Sequence, residues 1–283
     1  MAKYIMSAFA DEAASNLDEQ IEALKKEDVS KIELRGVDGT SCVDLSIEKA
    51  KEVHKKLSAA GITLSALGSS YGKISIYDPF EQHLEKLKKS LEVCHILECD
   101  KIRVFSFYLP KEEAPEKFRD EVLRRMEKMI EAASAEGILL AHENEKGIYG
   151  DTDDRCIDLY NAFGGKLGVI FDPANYIQCG VNPKTAYEKQ KDSITYFHMK
   201  DALMKDGSVV SVGNGDGSVP YILEDYNKKT DAEVILTVEP HLHVFNGLNN
   251  LQDEALKHKE AYPDSKTAFH AACSAVKKII NNL

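Results

Sequence analysis

Short hydrophobic runs recur along the chain and are separated by longer, more polar segments. Eight of these runs are rich in Ile, Val, Phe and Tyr and are bounded by Gly, Asp, Asn or Pro, a composition that is typical of β-strands. They cover residues 4–9, 31–35, 63–67, 101–107, 138–143, 167–171, 194–199 and 234–239. The hydrophobic pattern therefore predicts eight strands spread over the whole chain.

The segments between the predicted strands carry hydrophobic residues at steps of three and four, which places those residues on one face of a helix. Leu17, Ile21 and Leu24 show this spacing after the first strand. Asp44 is a candidate N-cap for a helix over residues 45–59. The chain is thus expected to alternate strand and helix from one end to the other.

This alternation predicts parallel strands, because a parallel connection needs a dozen or more residues and is usually a helix. Eight such units favour an α/β fold of the closed (β/α)8 TIM-barrel type. The competing fold is an open doubly wound sheet, which normally has a glycine-rich turn after its first strand. That turn reads Phe9-Ala10-Asp11-Glu12 here, without glycine. Because no linker or low-complexity stretch interrupts the pattern, residues 1–283 are interpreted as a single domain.

Charge and cysteine content narrow the class of protein. The 47 acidic residues outnumber the 36 basic ones and give a net charge of −11, whereas nucleic-acid-binding proteins need positive surfaces to attract phosphates. None of the six cysteines forms a CxxC pair, which fits reduced thiols in a cytosolic protein. The sequence shows no signal-peptide pattern and no apolar stretch of about 18 residues. We therefore predict a cytoplasmic protein that binds neither nucleic acid nor membranes.

The ends of four consecutive predicted strands carry side chains that can bind a metal. The fifth strand ends at Glu143, Asp172 follows the sixth, His198 lies near the end of the seventh, and Glu239 ends the eighth. Singly, such an acidic residue is usually a helix cap or solvated, and a single histidine is more often a hydrogen-bonded core residue. The C-terminal ends of barrel strands meet at one face, where active sites lie. The four residues together therefore predict a shared metal site.

Three carboxylates and one imidazole form a negatively charged site in which most donors are oxygen. This donor set favours Mn²⁺, with Mg²⁺ and Co²⁺ as alternatives, and zinc also occupies such sites. A divalent ion with open positions binds adjacent hydroxyl and carbonyl oxygens of a sugar and stabilises the enediolate formed when the neighbouring C–H loses its proton. Glu143 and Glu239 come from non-adjacent strands and are the candidate catalytic acid and base. The predicted function is that of a divalent-metal-dependent isomerase or epimerase of a small sugar-like substrate.

The strand-end order Glu, Asp, His, Glu, with the stretches HENE, FDPAN, HMKD and VEPH, resembles the xylose isomerase-like TIM-barrel superfamily of sugar phosphate isomerases and epimerases. The resemblance runs over the whole chain and includes Ile32-Glu33-Leu34-Arg35 and Gly213-Asn214-Gly215-Asp216-Gly217. It implies that Glu143, Asp172, His198 and Glu239 bind the metal, and that Glu143 and Glu239 exchange protons with the substrate. Barrels of this superfamily are often dimers or tetramers, so the resemblance is compatible with a homo-oligomer.

Three further residues are candidate substrate ligands. Asn175 stands where ketose 3-epimerases have a histidine, three residues after the aspartate, and its amide can hydrogen-bond a hydroxyl. Lys200 alternates back to the face of His198 and either binds an oxyanion or carboxylate, or pairs with Asp201. His241 follows Glu239 with the same period and is either a donor to the substrate or the glutamate, or a structural residue.

Other polar residues near the strand ends have structural interpretations. Glu33 and Arg35, at the end of the second strand, are expected to pair with each other or with a neighbouring charge. His142 points opposite to Glu143 on an alternating strand and is interpreted as structural. Residues 213–217 include the acidic Asp216, which makes them a poor phosphate cradle. Because no clear phosphate site is found, an unphosphorylated substrate is favoured.

Three alternatives compete with the isomerase or epimerase. A dehydratase of the inosose or dehydroshikimate type uses the same metal and the same first proton abstraction, followed by loss of a β-hydroxyl. A phosphodiesterase similar to endonuclease IV needs further histidines for a three-metal cluster, and no histidine falls on the first four strands or the sixth. A non-catalytic sugar-binding barrel has no need for all four ligand types to be intact. The sequence does not identify the substrate.

Overall fold

The computed structural model describes residues 1–244 and 260–283. Its eight barrel strands are β1 (Lys3–Ala8), β2 (Lys31–Leu34), β3 (Thr63–Tyr71), β4 (Lys101–Val104), β5 (Leu139–Glu143), β6 (Leu167–Phe171), β7 (Ile194–Met199) and β8 (Glu233–Val238). Each strand pairs in parallel with its neighbours in sequence, and β8 pairs with β1 to close the barrel. The predicted (β/α)8 barrel is confirmed, and the open-sheet alternative is wrong.

Helices connect the strands. They are α1 (Leu17–Lys26), α2 (Ile47–Ala59), α3 (Phe80–Ile96), α4 (Arg119–Ala135), α5 (Asp153–Ala162), α6 (Pro173–Gln178), α7 (Pro183–Gln190), α8 (Val219–Lys229) and α9 (Ser265–Ile280). The prediction of Asp44 as an N-cap is wrong, because the chain is extended at Leu45 and the helix begins two residues later. Ser46 caps it instead, and its Oγ accepts the N–H of Lys49 at 3.1 Å. Within the described ranges, no helix combines the length and the apolar composition needed to cross a membrane.

β3 and β4 end at other residues than predicted, and the backbone segments that follow them are in close contact. β3 continues to Tyr71, whereas β4 already stops at Val104. Gly72 has φ of 90°, and a Cβ there would lie 2.0 Å from the carbonyl oxygen of Phe105. Phe107 also has a left-handed φ of 66°, and its N–H donates to the Gly72 carbonyl at 2.9 Å. The loops after β3 and β4 are therefore held against each other at the C-terminal face of the barrel.

The two largest hydrophobic clusters of the described residues support this face. The larger one joins strand residues such as Ile102 to helix residues such as Met126, so it lies between the barrel wall and the surrounding helices. The smaller one fills the barrel itself and consists of Ala66, Ala141, Ile170 and Tyr196, with Ile235 packed against them. A packed barrel interior is a rigid base for side chains at the strand ends.

Candidate active site

The four predicted metal ligands meet at the C-terminal face of the barrel. Glu143 is the last residue of β5, and Asp172 follows β6 directly. His198 lies in β7, and Glu239 follows β8. All four are buried, with at most 3% of each residue exposed. One potential ligand atom of each lies within 4.8 Å of the corresponding atom of every other.

This spacing fits a single metal ion. Two ligands on opposite sides of an ion, each about 2.1–2.4 Å from it, are about 4.2–4.8 Å apart, so one ion reaches all four atoms. The buried Asp172 Oδ2 lies 2.9 Å from Lys200 Nζ, but accepts no well-formed hydrogen bond from the residues that the structure describes. The cluster could therefore hold one divalent ion on three carboxylates and an imidazole.

Asp172 caps a helix and also faces the cluster. Its Oδ1 caps α6 by accepting the N–H of Asn175 at 3.0 Å, and Pro173 provides the first helical residue. The backbone N–H and carbonyl of Asp172 are each hydrogen-bonded to the side chain of Asn144, both at 2.9 Å. One carboxylate oxygen is thus used for capping, and the other faces the cluster.

His198 is held between two carboxylates. Its Nδ1 lies 2.9 Å from Glu143 Oε1, and its Nε2 lies 3.2 Å from Glu33 Oε2. Burial alone would lower the pKa of His198, but the charges of Glu143 and Glu33 raise it well above its usual range. In metal sites a carboxylate often binds the ring nitrogen that faces away from the metal and fixes the orientation of the ring. Glu33 occupies that place, and the hydroxyl of Tyr196 donates to it at 3.1 Å.

Buried cations keep the two candidate catalytic glutamates ionised. Arg103 Nη1 donates to Glu143 Oε2 at 3.1 Å, and Lys200 Nζ donates to Glu239 Oε2 at 3.1 Å. Burial raises the pKa of Glu143, but His198 and Arg103 outweigh it and hold the pKa below its usual range. Burial likewise raises the pKa of Glu239, but the charge of Lys200 opposes this, and the pKa lies well below its usual range. Both side chains are therefore carboxylates that can accept a proton.

Asp172 behaves differently from the two glutamates. Burial raises the pKa of Asp172 to about 8, and the nearby Lys200 ammonium offsets this only in part. A divalent cation at the cluster would favour the charged form of every carboxylate that binds it. Metal binding at this site is therefore expected to release protons.

The three predicted substrate ligands line the edge of the cluster. Asn175 Nδ2 donates to Glu143 Oε1 at 3.1 Å and to the Asn144 carbonyl at 2.9 Å, so both amide hydrogens bind protein groups. His241 donates its backbone N–H to Glu12 at 2.7 Å, and its Nε2 lies 3.4 Å from Glu239 Oε1. Asn175 therefore positions Glu143, with Oδ1 as the group that it can offer to a substrate.

Lys200 does not depend on the predicted alternative partner, Asp201. Its Nζ lies 2.9 Å from Asp172 Oδ2 and 3.1 Å from Glu239 Oε2. Asp201 instead accepts the backbone N–H groups of Gly213, Gly215 and Gly217 at 2.8–3.1 Å. The glycine-rich segment is thus filled by a carboxylate of the chain itself, in agreement with the prediction that it is a poor phosphate cradle.

The Asp201 contact makes the glycine-rich segment sensitive to added side chains. A Cβ at Gly215 would lie 2.3 Å from Asp201 Oδ1 and 2.5 Å from the Ala202 carbonyl. Gly215→Ala is therefore expected to lower the free energy of unfolding by about 1–3 kcal/mol, the usual cost of overpacking. Urea denaturation measures this change, and Gly36→Ala, where the nearest neighbour is 3.5 Å away, is the matched control. Equal stability of the two variants would contradict the expected packing.

Sequence reasoning did not assign site roles to several charged residues. Arg35 was expected to pair with Glu33 or with a neighbouring charge. It binds the neighbouring carboxylates of Asp11, Glu12 and Glu239. Arg103 contacts Glu143 from the middle of β4 and was not singled out. The sequence does give a sign of its role, because Arg103 is a charged residue between Ile102 and Val104 in an otherwise apolar strand. His142 bonds Ser106 Oγ at 3.0 Å, as its structural interpretation implies.

A (β/α)8 barrel with metal-capable residues on four consecutive strand ends defines a recognisable class of proteins. Residues 21–259 match the family model described as xylose isomerase-like TIM barrel, and the chain belongs to this family. No curated protein sequence is significantly similar to the chain.

Solved structures share the fold at low sequence identity. The probable 3-DHS dehydratase AsbF of Bacillus anthracis is 14% identical, with a TM-score of 0.72 and coverage of 98% of this chain and 99% of that one. The IOLI protein with a bound zinc atom is 14% identical, with a TM-score of 0.74 and coverage of 99% and 98%. An L-ribulose 3-epimerase is 14% identical, with a TM-score of 0.74 and coverage of 100% and 95%. At this level of sequence identity the similarity establishes the fold alone. The dehydratase and the epimerase among these structures differ from each other in activity.

Proposed function

We propose that the protein is a divalent-metal-dependent isomerase or epimerase that acts on a small sugar or sugar-like keto or hydroxy substrate. The convergence of Glu143, Asp172, His198 and Glu239, with ligand atoms within 4.8 Å of one another, carries this proposal. The zinc in the structurally similar IOLI protein and the epimerase among the structural neighbours support it. We propose Mn²⁺ as the preferred ion, with Mg²⁺, Co²⁺ and Zn²⁺ as alternatives.

The proposed reaction depends on two carboxylates that reach the substrate from different sides. Glu143 ends β5 and Glu239 follows β8, so β6 and β7 lie between them, and their carboxylates are held by Arg103 and Lys200. One of them removes the proton next to the carbonyl, and the other returns a proton to the product. The Lys200 ammonium faces the same cavity and stabilises negative charge on a substrate oxygen. A divalent ion, when bound, polarises the carbonyl and acidifies the neighbouring C–H.

Turnover of candidate substrates in D₂O tests this function. Mn²⁺-loaded protein is incubated with a panel of ketoses, inososes and hydroxypyruvate, and NMR follows substrate loss and deuterium incorporation. We expect an isomer or epimer that carries deuterium at one carbon, because the removed proton exchanges with solvent. Activity should disappear after treatment with a chelator and return with Mn²⁺.

The same experiment separates the alternatives. Loss of water from the substrate would assign the protein to the dehydratase reaction with the same residues in place. Metal binding without exchange or turnover of any compound would support a sugar-binding barrel. Failure of the wild-type protein to bind any divalent ion would contradict the proposed site.

A further inference from the structure

Phe9 is a completely buried aromatic residue that lies behind the four-residue cluster. It directly follows β1, and its N–H donates to the Val238 carbonyl at 3.0 Å, which continues the pairing of β1 with β8. Phe9 is not among the described residues that line the cavity beside the cluster. Its backbone is therefore fixed, and its ring acts on the site through neighbouring side chains rather than by touching the substrate.

Two of these neighbours are the guanidinium groups that contact the candidate catalytic glutamates. Arg35 Cζ lies over the Phe9 ring, 4.4 Å from its centre, and Arg103 Cζ lies 4.9 Å from the same centre. Arg35 Nη1 in turn donates to Glu239 Oε1 at 3.2 Å. Arg103 Nη1 donates to Glu143 Oε2 at 3.1 Å. One aromatic ring therefore contacts the cations behind both glutamates, and the negative face of such a ring attracts cations most strongly where water is excluded.

Hydrogen bonds hold Arg35 and Arg103 mainly within the planes of their guanidinium groups, because the N–H bonds lie in these planes. Arg103 donates from Nε and Nη2 to two backbone carbonyls of β3, at 3.2 and 3.1 Å. Arg35 donates from Nε and Nη2 to the two oxygens of Asp11, at 2.8 and 3.0 Å. Movement out of the plane is limited by whatever packs on the face of the group. The Phe9 ring therefore restrains both arginines in the direction that their hydrogen bonds leave weakest.

The same ring packs against the predicted nitrogen ligand of the metal. The ring centres of Phe9 and His198 are 5.2 Å apart at an angle of 82°, which is the edge-to-face arrangement that aromatic pairs favour. His198 Nδ1 lies 2.9 Å from Glu143 Oε1 and 3.4 Å from Glu239 Oε2. Each glutamate thus contacts two groups that pack on Phe9.

Gly68 provides the space that the Phe9 ring occupies. It lies in β3, and a Cβ at this position would be 2.7 Å from Phe9 Cε1. The same Cβ would be 3.4 Å from Arg35 Cβ and 3.4 Å from Glu33 Cγ, so its closest contact would be with the Phe9 ring. The φ of Gly68 is not positive. The site therefore uses the missing side chain of Gly68 rather than its backbone freedom.

Building on the proposed function, we propose that Phe9 is a positioning residue that fixes both candidate catalytic glutamates through the guanidinium groups of Arg35 and Arg103. Its ring offsets the repulsion between two like charges in a buried site and keeps one of them directed at each glutamate. The two glutamates then meet the reacting carbon in fixed directions. Because Phe9 does not reach the cavity, it affects the rate of proton transfer and not the binding of substrate.

Arginine side-chain signals test this contact in the protein without added metal. The Nε–H signals are assigned in ¹⁵N–¹H spectra with Arg35→Lys and Arg103→Lys. An aromatic ring shifts protons above its face upfield, so Phe9→Leu should move both signals downfield from their wild-type positions. Unchanged signals in Phe9→Leu would overturn the proposal, whether or not the protein has activity or binds metal.

Fluorination of the ring separates its electrostatic role from simple packing. Phenylalanines with one, two and three fluorine atoms at residue 9 change the shape little, but they weaken the negative ring face step by step. At saturating Mn²⁺ we expect kcat to fall in this order, by about 10-fold for three fluorines and by about 100-fold for Phe9→Leu, the cost of misplacing a catalytic group by about 1 Å. KM should change by less than about threefold. Equilibrium dialysis should show Mn²⁺ affinity falling by about 10-fold in Phe9→Leu, as for other residues behind metal ligands.

The same fluorinated series at Phe171 is the matched control. Phe171 is also completely buried, and it directly precedes the predicted ligand Asp172. Its ring contacts are with the rings of Tyr176, Tyr187 and Phe197. Fluorination at residue 171 should therefore leave kcat and Mn²⁺ affinity within about threefold of wild type, the range expected when no cation or ligand is displaced.

Gly68→Ala tests the same contact without changing Phe9. Its Cβ displaces the ring, so kcat should fall by about 10- to 100-fold. In the Phe9→Leu background the same substitution should have a much smaller effect, because leucine has no Cε atom at that place and the two changes act on one contact. Circular dichroism reports folding, and if Phe9→Leu does not fold, the fluorinated series decides the result.

The outcomes separate the positioning role from the proposed function. A graded loss of Mn²⁺ affinity on fluorination of Phe9, without turnover of any compound, would keep the positioning role and reject the isomerase. Turnover that is equal in all variants would keep the isomerase and overturn the role of Phe9. A rise in KM with unchanged kcat would also overturn it, because Phe9 would then act on substrate binding. Equal losses from fluorination of Phe9 and Phe171 would show a general effect of packing and would overturn it as well.

Discussion

Replacing His198 by alanine should lower the affinity for Mn²⁺ by at least about 100-fold, since even changes behind the ligands of a metal site cost 10- to 100-fold. The imidazole is the nitrogen donor among three carboxylates, and it is completely buried. Its removal also leaves Glu33 and Glu143 without the group that lies between them. Equilibrium dialysis with Mn²⁺ measures the affinity, and turnover should fall with it. The barrel should remain folded, because its packed interior lies elsewhere.

His142→Ala is the matched control for this variant. His142 is also buried, one residue before Glu143, but it bonds Ser106 rather than the cluster. The loss of this buried contact should cost about 1–3 kcal/mol of stability and change the Mn²⁺ affinity by less than about threefold. An unchanged metal affinity in His198→Ala would remove His198 from the ligand set. Unfolding of His198→Ala would show that this histidine is a core residue.

The fold and the position of the cluster were predictable from the sequence because both follow from local periodicity. Parallel strands end at one face of a barrel, so Glu143 and Glu239 had to approach each other once the strands were recognised. The left-handed conformations of Gly61 and Gly137, each just before a strand, follow equally from a local rule. The prediction of the barrel needed no knowledge of side-chain contacts.

The contacts around the cluster were not predictable in the same way. Glu33 and His198 are 165 residues apart in sequence, and their pairing depends on how two distant strands face each other across the barrel. Sequence position suggested a pair between Glu33 and its neighbour Arg35, but a two-residue separation does not show which carboxylate each one reaches. The left-handed φ of Phe107 gives no sequence signal, because it occurs at a residue other than glycine. A position at a strand end thus predicts which side chains meet in the cluster, but it does not predict which residues they pair with.

The hydrogen bonds behind the two glutamates hold both carboxylates in place. Glu143 receives donors on both oxygens, from Asn175 and Arg103. Glu239 is bound by Lys200 on one oxygen and by Arg35 on the other. Each carboxylate is therefore fixed in orientation and can meet a substrate from one direction only. The two residues should act on opposite faces of the reacting carbon.

Glu143→Gln and Glu239→Gln are each expected to reduce turnover by about 10²- to 10⁴-fold, the usual contribution of a general acid or base. Glutamine keeps the shape and one oxygen that can bind the metal, but it cannot accept a proton at neutral pH. Turnover and deuterium incorporation are measured for each variant in D₂O, with metal content determined in parallel. Glu112→Gln is the control, because it makes the same change at an exposed carboxylate that does not line the cavity.

Deuterium incorporation distinguishes one residue for each face from a single residue for both. With one residue for each face, the variant that retains the proton-abstracting glutamate should still exchange the substrate proton with solvent while it fails to form product. The other variant should do neither, because the first step is lost. Near-wild-type turnover in either variant, with metal content preserved, would reject the two-carboxylate assignment. Loss of exchange in both variants would instead indicate that the two glutamates act together on one proton. His198 could link them, because its Nδ1 lies 2.9 Å from Glu143 Oε1 and 3.4 Å from Glu239 Oε2.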